Sequence, residues 1–153
     1  CFDKDEELVG VITFGKPASH QLCIGVCGED LKSKVFELNR LCLTHNAPNL
    51  ASRFVAYALR QLKKHNLIIV SYADTAMSHH GYVYQACNFL YTGATAQRTD
   101  RYAGKGKHSR HYDKEAKQVY RVVRSSKHRY IYFTGSKGFK KMCMNRLNYP
   151  VME

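Results

Sequence analysis

The most constraining feature of the sequence is a short apolar run, Leu67 to Val70, bounded on both sides by polar residues. Its content of β-branched residues predicts a strand buried on both faces, as in a parallel sheet covered by helices. The next residues, Ser71 to Thr75, become polar where such a strand would end. In open α/β sheets, ligands bind at the carboxyl ends of strands. The run therefore predicts an α/β fold with a functional site at its end.

A strand–helix–strand crossover is predicted around this run. Residues 35–43 alternate apolar and polar side chains, which is typical of a strand. Residues 50–64 carry apolar side chains at helical spacing, and Asn49 is a candidate N-cap. The free N–H groups at such a helix N-terminus can bind an anion. The preceding loop lacks the glycines of a phosphate-binding loop, so anion binding there is permitted rather than indicated.

The length of 153 residues fits one domain with a substantial core, covering residues 1–153. We predict further strands at residues 8–15, 89–93, 118–123 and 129–133, and further helices at 81–90 and 139–147. Residues 16–34 and 94–107 are predicted to be loop-rich. The expected fold class is α/β (α+β), with a mixed central sheet flanked by helices. No apolar segment of the sequence is long enough to span a membrane.

The six cysteines do not have the density of a disulfide scaffold. Cys42 and Cys87 lie in apolar runs, where a free cysteine packs as a small hydrophobic residue. Cys23 and Cys27 have three residues between them and no second pair of the usual spacing follows, so a structural zinc site is only weakly indicated. The cysteine content favours a reducing cytoplasm.

Positive charge is concentrated in one part of the chain. The formal net charge is +12, and residues 98–141 hold 14 basic and 3 acidic residues, a net +11. Aromatic residues are interleaved with these charges, namely Tyr102, Tyr112, Tyr120, Tyr130, Tyr132 and Phe133. Basic residues with aromatic rings that can stack on bases are typical of proteins that bind DNA or RNA. The alternative is a basic surface that serves solubility, but so one-sided a distribution favours nucleic acid.

Several motifs carry a resemblance to a known family. The segment from Tyr84 to Gly93, YQACNFLYTG, resembles the closing motif of GNAT acyltransferases, with Asn88 in place of the usual glycine. Further motifs are ELNRL at 37–41, SYADTA at 71–76, GYVYQACNFLYTG at 81–93 and HSRH at 108–111. With these motifs the chain resembles the Mom family of bacteriophage DNA-modification proteins, from about Leu8 to Val151.

The resemblance implies a GNAT-like fold and a transferase activity on phage DNA. The expected product is adenine carrying a carbamoylmethyl (acetamido) group at N6, which blocks host restriction enzymes in the cytoplasm of the infected bacterium. The implied donor is acetyl-CoA or a related acyl donor. Its pyrophosphate would lie at the predicted helix N-terminus, formed by Asn49, Leu50, Ala51, Ser52 and Arg53. A carbon–nitrogen bond to a methyl carbon requires further chemistry; redox iron is one candidate, although the residue spacing does not support an iron site.

The resemblance also assigns roles to individual residues. The family tyrosine matches Tyr84, whose phenol suits a general acid toward a leaving thiolate. Asp74 is a candidate from its position at the end of the buried strand, where it would accept a proton from the adenine amino group or bind its edge, and Ser71 completes the predicted catalytic set. The alternatives are that Tyr84 packs against the core and that Asp74 caps the segment after it.

The target adenine must leave the duplex stack, so base flipping is expected on double-stranded DNA. The predicted DNA contacts are Tyr72, Tyr82 and Tyr102 for stacking, with Arg98, Arg101, Lys105, Lys107, His108, Arg110 and His111 for phosphates. His108 and His111 can alternatively share a metal with Asp74, and the sequence leaves the metal unknown.

Two other functions compete with DNA modification. A non-catalytic basic nucleic-acid-binding protein on the same scaffold would tolerate Tyr84→Phe and Asp74→Asn. An N-acetyltransferase that acts on a protein or a small amine would be active without DNA, and it leaves the basic segment 98–141 unexplained.

Overall fold

The computed structural model describes residues 1–105, 111, 114–115 and 120–152. The strands are β1 Gly10–Gly15, β2 Val35–Leu43, β3 Ile68–Asp74, β4 Leu90–Ala94, β5 Arg98–Arg101, β6 Arg121–Arg124 and β7 Lys127–Phe133. The α-helices are α1 His20–Cys27, α2 Leu50–Gln61, α3 Tyr82–Gln85 and α4 Lys137–Asn145. Short 3₁₀ helices occupy Glu29–Lys34, Leu62–Lys64 and Thr75–Met77.

Five strands form a mixed central sheet in the order β1-β2-β3-β7-β4. β2 and β3 are parallel and are joined through α2, which confirms the predicted crossover. The other pairs, β1–β2, β3–β7 and β4–β7, are antiparallel. β5 and β6 form a separate two-stranded sheet, called here the basic ribbon. The predicted α/β class with a mixed sheet flanked by helices is therefore confirmed.

Helices cover both faces of the sheet, which explains why the run at residues 67–70 is apolar throughout. Ile68 and Val70 pack into a cluster with residues of α1 and α4. Ile69 and Ala73 point to the opposite face and pack with residues of α2 and with Tyr130. Successive side chains of a strand alternate between faces, so a strand covered on both sides needs apolar residues at every position.

Two segments predicted as loops contain secondary structure. Residues 16–34 form α1 and a 3₁₀ helix, and Ser19 caps α1 by accepting a hydrogen bond from the Leu22 amide. Residues 98–101 form β5, although none of them is apolar. Strand pairing rather than burial stabilises β5, so apolar periodicity could not predict it.

The cysteines pack in the core with few exceptions. Cys23, Cys27, Cys87 and Cys143 are buried, and all six cysteines are free thiols. The prediction for Cys87 is confirmed, whereas Cys42 is exposed and its predicted burial is wrong. Cys42 lies in the part of β2 that extends beyond β3, where the sheet has less cover. Within the described part of the chain, no helix has the length and apolar character needed to cross a membrane.

Candidate functional site

The central feature of the site is a gap between the parallel strands β2 and β3. Although β2 has nine residues and β3 seven, they pair only from Val35 opposite Ile68 to Glu37 opposite Val70. Beyond this point β2 continues beside β1, and β3 continues beside β7. A hydrogen bond from Ser71 Oγ to the Leu38 carbonyl, 3.4 Å long, still links the two strands where they separate.

A cavity of about 530 Å³ opens at this gap, and we call it the gap cavity. Three parts of the chain line it: residues 37–41 of β2, residues 72–73 of β3, and residues 78–84, which include the start of α3; Lys127 completes the wall. Its volume lies within the range of small-molecule and cofactor sites. The predicted location at the carboxyl end of β3 therefore coincides with a real cavity.

Tyr84 lines the gap cavity from the first turn of α3. Its ring packs 5.4 Å from the Phe89 ring and 5.4 Å from the Tyr130 ring, between centroids. Burial raises the pKa of the Tyr84 phenol, while hydrogen bonding by the Ser71 hydroxyl opposes that rise. At neutral pH the phenol is therefore protonated, the state that a general acid requires. Ser71 is fully buried in the neighbouring strand, and its Oγ donates to the Leu38 carbonyl.

Asn88, at the position where the GNAT motif that this segment resembles has glycine, adopts a backbone conformation that favours glycine. Asn88 has φ of +61°, in the left-handed region. Glycine occupies this region without cost, and asparagine is among the side chains that tolerate it best. The Phe89 amide, one residue later, donates to the Tyr84 carbonyl at 3.0 Å. The asparagine at residue 88 therefore preserves the turn that positions Tyr84.

The loop before α3 is fastened to the sheet by Tyr130, which is 1% exposed. The Tyr130 hydroxyl donates to the His80 carbonyl at 2.7 Å, and Gln85 Nε2 donates to the same carbonyl at 3.1 Å. Gly81 has φ of +69°, and a Cβ there would lie 2.3 Å from the Tyr130 ring. The sequence places Tyr130 among the aromatic residues of the basic segment; its burial makes it a support for the loop instead.

The basic ribbon carries four arginines in two opposed pairs, Arg98 with Arg124 and Arg101 with Arg121. Arg124 pairs with Asp100 at 2.7 Å, and Arg121 donates to the Thr99 hydroxyl at 2.8 Å. Arg98 and Arg101 are exposed, as are Lys105 and His111, while the Tyr102 side chain is 50% exposed. The predicted contacts Lys107, His108 and Arg110 lie outside the described residues. Those that are described lie at the surface, where DNA can reach them.

Two predicted stacking residues lie in different environments. Tyr82 is 71% exposed and stands at the rim of the gap cavity, 5.7 Å from the His80 ring between centroids. Tyr72 is half-buried, and burial raises the pKa of its phenol to about 12. Its ring packs against the core cluster on the α1 side of the sheet. The exposed Tyr82 ring is accessible for stacking on a base. In Tyr72, only the part of the ring that lines a cavity is accessible to a base.

Comparison with known proteins identifies the family. The model of the Mom protein family matches residues 1–151 of the 153. The chain belongs to the Mom protein family. This membership confirms the resemblance and implies modification of adenine in bacteriophage DNA. Among curated proteins none matches the chain. The GNAT-like character of the fold stays a prediction.

Asp74 has partners that occupy its carboxylate in this Mom-family structure. It caps the 3₁₀ helix Thr75–Met77 by accepting from the Ala76 amide at 3.0 Å. It also accepts from Ser125 Oγ at 2.6 Å and lies 3.8 Å from Lys127 Nζ. Hydrogen bonds from Ser125 and Ala76 lower the pKa of its carboxyl. Asp74 does not line the gap cavity, so its capping role is observed and its catalytic role stays a prediction.

The predicted donor-binding residues, 49–53, lie at the N-terminus of α2 but do not line the gap cavity. Asn49 occupies the predicted N-cap position, but the prediction that its side chain caps the helix is wrong. The residue has φ of +60° and makes no capping hydrogen bond. Instead, the Leu50 amide donates to the Ala47 carbonyl and Ser52 Oγ to the Asn49 carbonyl. Binding of the donor at this helix N-terminus therefore remains a prediction.

Two residues at the gap were missed from the sequence. Glu37 and Lys127 line the cavity, and both are half-buried rather than in the core. Burial raises the pKa of the Glu37 carboxyl, and the Lys127 charge opposes that rise. The sequence pattern puts Glu37 at a polar position of an alternating strand, and its place at the start of the motif ELNRL is the one available signal. Among the described residues, no group of three metal-ligating side chains is arranged to hold a metal ion.

Proposed function

We propose that this protein transfers a carbamoylmethyl (acetamido) group to the N6 atom of adenine in phage DNA, in the cytoplasm of the infected bacterium. The product would protect the phage DNA from host restriction enzymes. The observation that carries the proposal is the position of Tyr84: in a Mom-family chain, a half-buried, protonated phenol faces a cavity between two separating strands.

Tyr84 acts in this proposal as the general acid. A leaving group that departs with the bonding electron pair needs a proton or a hydrogen bond, and a phenol kept neutral by burial supplies either. The packing of the ring against Phe89 and Tyr130 holds the phenol in one orientation. A fixed orientation reduces the entropic cost of reaching the transition state.

The acyl-type donor, acetyl-CoA or a relative, belongs to the gap cavity in this proposal. The parting of β2 and β3 exposes backbone groups on both strands at that point, which suits a donor whose reactive end lies between them. The same parting supports the GNAT-like architecture. When bound, an acyl-CoA-type donor would supply the thioester carbon: adenine N6 would attack it, the carbon–sulfur bond would break, and Tyr84 would protonate the departing thiolate. A carbamoylmethyl product, which is joined through the methyl carbon, would in addition require a source of amide nitrogen and a two-electron oxidant.

The basic ribbon is proposed to hold the DNA. Its arginine pairs provide sequence-independent contacts to phosphates, and exposed Tyr82 and Tyr102 provide aromatic faces for unstacked bases. The residues of this surface contact the duplex, and the target adenine is flipped toward the gap.

The experiment that tests the proposal is mass spectrometry of nucleosides from plasmid DNA of cells that express the protein. We expect a new adenosine species with the mass of the carbamoylmethyl derivative. It should be absent from cells that carry the empty vector or the Tyr84→Phe variant, which keeps the aromatic packing of the ring.

Other outcomes would assign the competing functions. DNA that stays unmodified, although the purified protein binds it, would contradict the proposal and favour a nucleic-acid-binding protein. Acetylation of protein or amines without DNA would favour an N-acetyltransferase. A modified adenosine of different mass would keep the DNA-modifying activity and change the transferred group.

A further inference from the structure

A second cavity lies on the opposite face of the sheet from Tyr84, and the function proposed above does not use it. It has a volume of about 310 Å³, near the lower end for ligand sites and suited to a single nucleobase. Its walls are residues 17–19 and Leu22 at the start of α1, residues 95–96 after β4, and Arg98, Arg124 and Ser125 of the basic ribbon and its root. We call it the ribbon-side cavity.

The two cavities meet at the parting of β2 and β3. Glu37, Tyr72 and Lys127 line both of them. Glu37 belongs to the last residue pair of the two strands, opposite Val70, and its side chain shares the α1 face with Val70. Tyr84 packs on the other face, with the α2 cluster. A molecule in the ribbon-side cavity therefore meets a molecule in the gap cavity in the space beside Glu37, Tyr72 and Lys127.

Charge indicates what the ribbon-side cavity binds. Arg98, Arg124 and Lys127 line it beside the Glu37 carboxyl, while Arg124 also pairs with Asp100 and Lys127 lies 3.8 Å from Asp74. The two arginines lie opposite one another in the ribbon, so a phosphate backbone lying along the ribbon passes the mouth of the cavity. Adjacent nucleotides would then bring a base within reach of the Tyr72 ring. The ribbon-side cavity thus combines cationic side chains at its rim, an aromatic side chain in its wall and a small volume. These are the features of a pocket for a flipped base.

Resting on the proposed function, we propose that the ribbon-side cavity is the binding site of the flipped adenine, and that Glu37 selects the base by accepting a hydrogen bond from its N6 amino group. The adenine enters from the ribbon side, and the donor is bound on the other face of the sheet. N6 then lies at the junction of the two cavities, opposite Tyr84.

The selection follows from the hydrogen-bonding groups of the bases. Adenine and cytosine present an exocyclic amino group at this edge, whereas thymine and guanine present a carbonyl oxygen. An ionised carboxylate accepts from an amino group and repels a carbonyl oxygen. The Lys127 charge favours the ionised state of Glu37, which burial opposes. A carboxylate at this cavity therefore favours a base with an exocyclic amino group, such as adenine, over thymine and guanine.

Binding without the donor provides the direct test. The probes are short single-stranded thymine oligonucleotides that contain one central adenine, one central purine without the 6-amino group, or thymine only. Single strands remove the cost of flipping the base out of a duplex. We expect wild type to bind the adenine probe about tenfold more tightly than the other two, as one charge-assisted hydrogen bond implies. Glu37→Leu should lose this preference and keep the affinity for the thymine probe.

A tryptophan reporter locates the base. The chain has no tryptophan, and Ala96 is an exposed residue that lines the ribbon-side cavity. In the Ala96→Trp variant, the adenine probe should quench the emission in a saturable way. The matched control is Ala94→Trp, because Ala94 is also exposed and lines neither cavity. Quenching of similar size in both variants, or in neither, would overturn the proposed location.

The outcomes separate this inference from the proposed function. If wild type modifies adenine in plasmid DNA but Glu37→Leu retains the preference for the adenine probe, the base pocket is wrong and the enzymatic function stands. If the preference depends on Glu37 but no DNA is modified, the pocket stands and the proposed function falls. Circular dichroism of each variant checks that the fold is intact.

Discussion

The gap between β2 and β3 and the basic ribbon differ in how they are held. At the gap, the Tyr84 ring packs against Phe89 and Tyr130, and the loop before it is hydrogen-bonded to Tyr130 of the sheet. Within the residues that the structure describes, the ribbon consists of two strands, and its valines, Val122 and Val123, are 48% and 64% exposed.

This difference matches what each region has to do. Proton transfer requires a group with one orientation and a tuned pKa, which only packing provides. Contacts to phosphates require charge and access, and several exposed arginines share that task without exact geometry. We therefore expect single substitutions at the gap to abolish chemistry, and substitutions in the ribbon to weaken binding gradually.

The largest effect is expected from Tyr84→Phe. Loss of a general acid should lower the rate of adenine modification by about 100-fold or more. The ring still packs against Phe89 and Tyr130, so DNA affinity and thermal stability should remain near those of wild type. Single-turnover modification and fluorescence anisotropy with labelled DNA measure the two quantities. A rate close to wild type would remove Tyr84 from the mechanism.

Gly81→Ala tests whether the gap depends on rigid packing. Its Cβ would clash with the Tyr130 ring at a backbone conformation that favours glycine, so we expect a decrease of about 1–3 kcal/mol in unfolding free energy. Modification should fall together with stability. The matched control is Gly138→Ala in α4, where a Cβ meets no atom within 4 Å and helix propensity favours alanine. Denaturant unfolding that shows equal effects for both variants would contradict the account.

The ribbon should respond in a graded manner. The double variant Arg98→Gln/Arg101→Gln is expected to weaken DNA binding by roughly tenfold and to reduce the salt dependence of binding, by about 0.9 in slope for each phosphate that is no longer neutralised. Lys63→Gln/Lys64→Gln removes the same charge from an exposed 3₁₀ turn outside the ribbon. If this control weakens binding equally, the ribbon has no special role. Anisotropy at several salt concentrations provides the measurement.

The smallest effect is expected at Asp74, the last residue of β3, which accepts a hydrogen bond from Ser125 directly after β6. Asp74→Asn should cost about 1 kcal/mol of stability at neutral pH and change the modification rate little. Because the folded protein lowers the pKa of Asp74, its contribution is present above the usual carboxyl pKa and is lost as pH falls. The difference between variant and wild type should therefore shrink in acid. A large decrease in rate without a decrease in stability would instead support the predicted catalytic role of Asp74.

Much of the fold follows from apolar periodicity. The strands at residues 35–43 and 67–72 and the helix between them are predictable because burial dictates their pattern. β5 was missed because pairing with β6 holds it and no apolar side chain marks it. α1 was missed because the sequence around it resembles a loop, although Cys23, Val26 and Cys27 pack into the core.

The candidate site is predictable in part. Tyr84 is marked by its motif, and the structure places it in a cavity. The gap itself was not predictable, because it depends on where β2 and β3 cease to pair. The sequence of either strand alone does not determine that pairing register. The positions of Glu37 and Tyr130 also depend on how the strands pair, which their own segments do not reveal. The Glu37 side chain lines the gap cavity, and Tyr130 is buried in a central strand instead of lying at the surface.

The most direct test of the account is the rate of adenine modification at saturating DNA, in an extract of host cells that supplies the donor. We expect the Arg98→Gln/Arg101→Gln variant to recover the wild-type rate once DNA is saturating, and Tyr84→Phe to remain at least about 100-fold slower. A ribbon variant that stays slow at saturation, or a Tyr84→Phe variant that reaches the wild-type rate, would contradict the division between a gap that performs the chemistry and a ribbon that binds DNA.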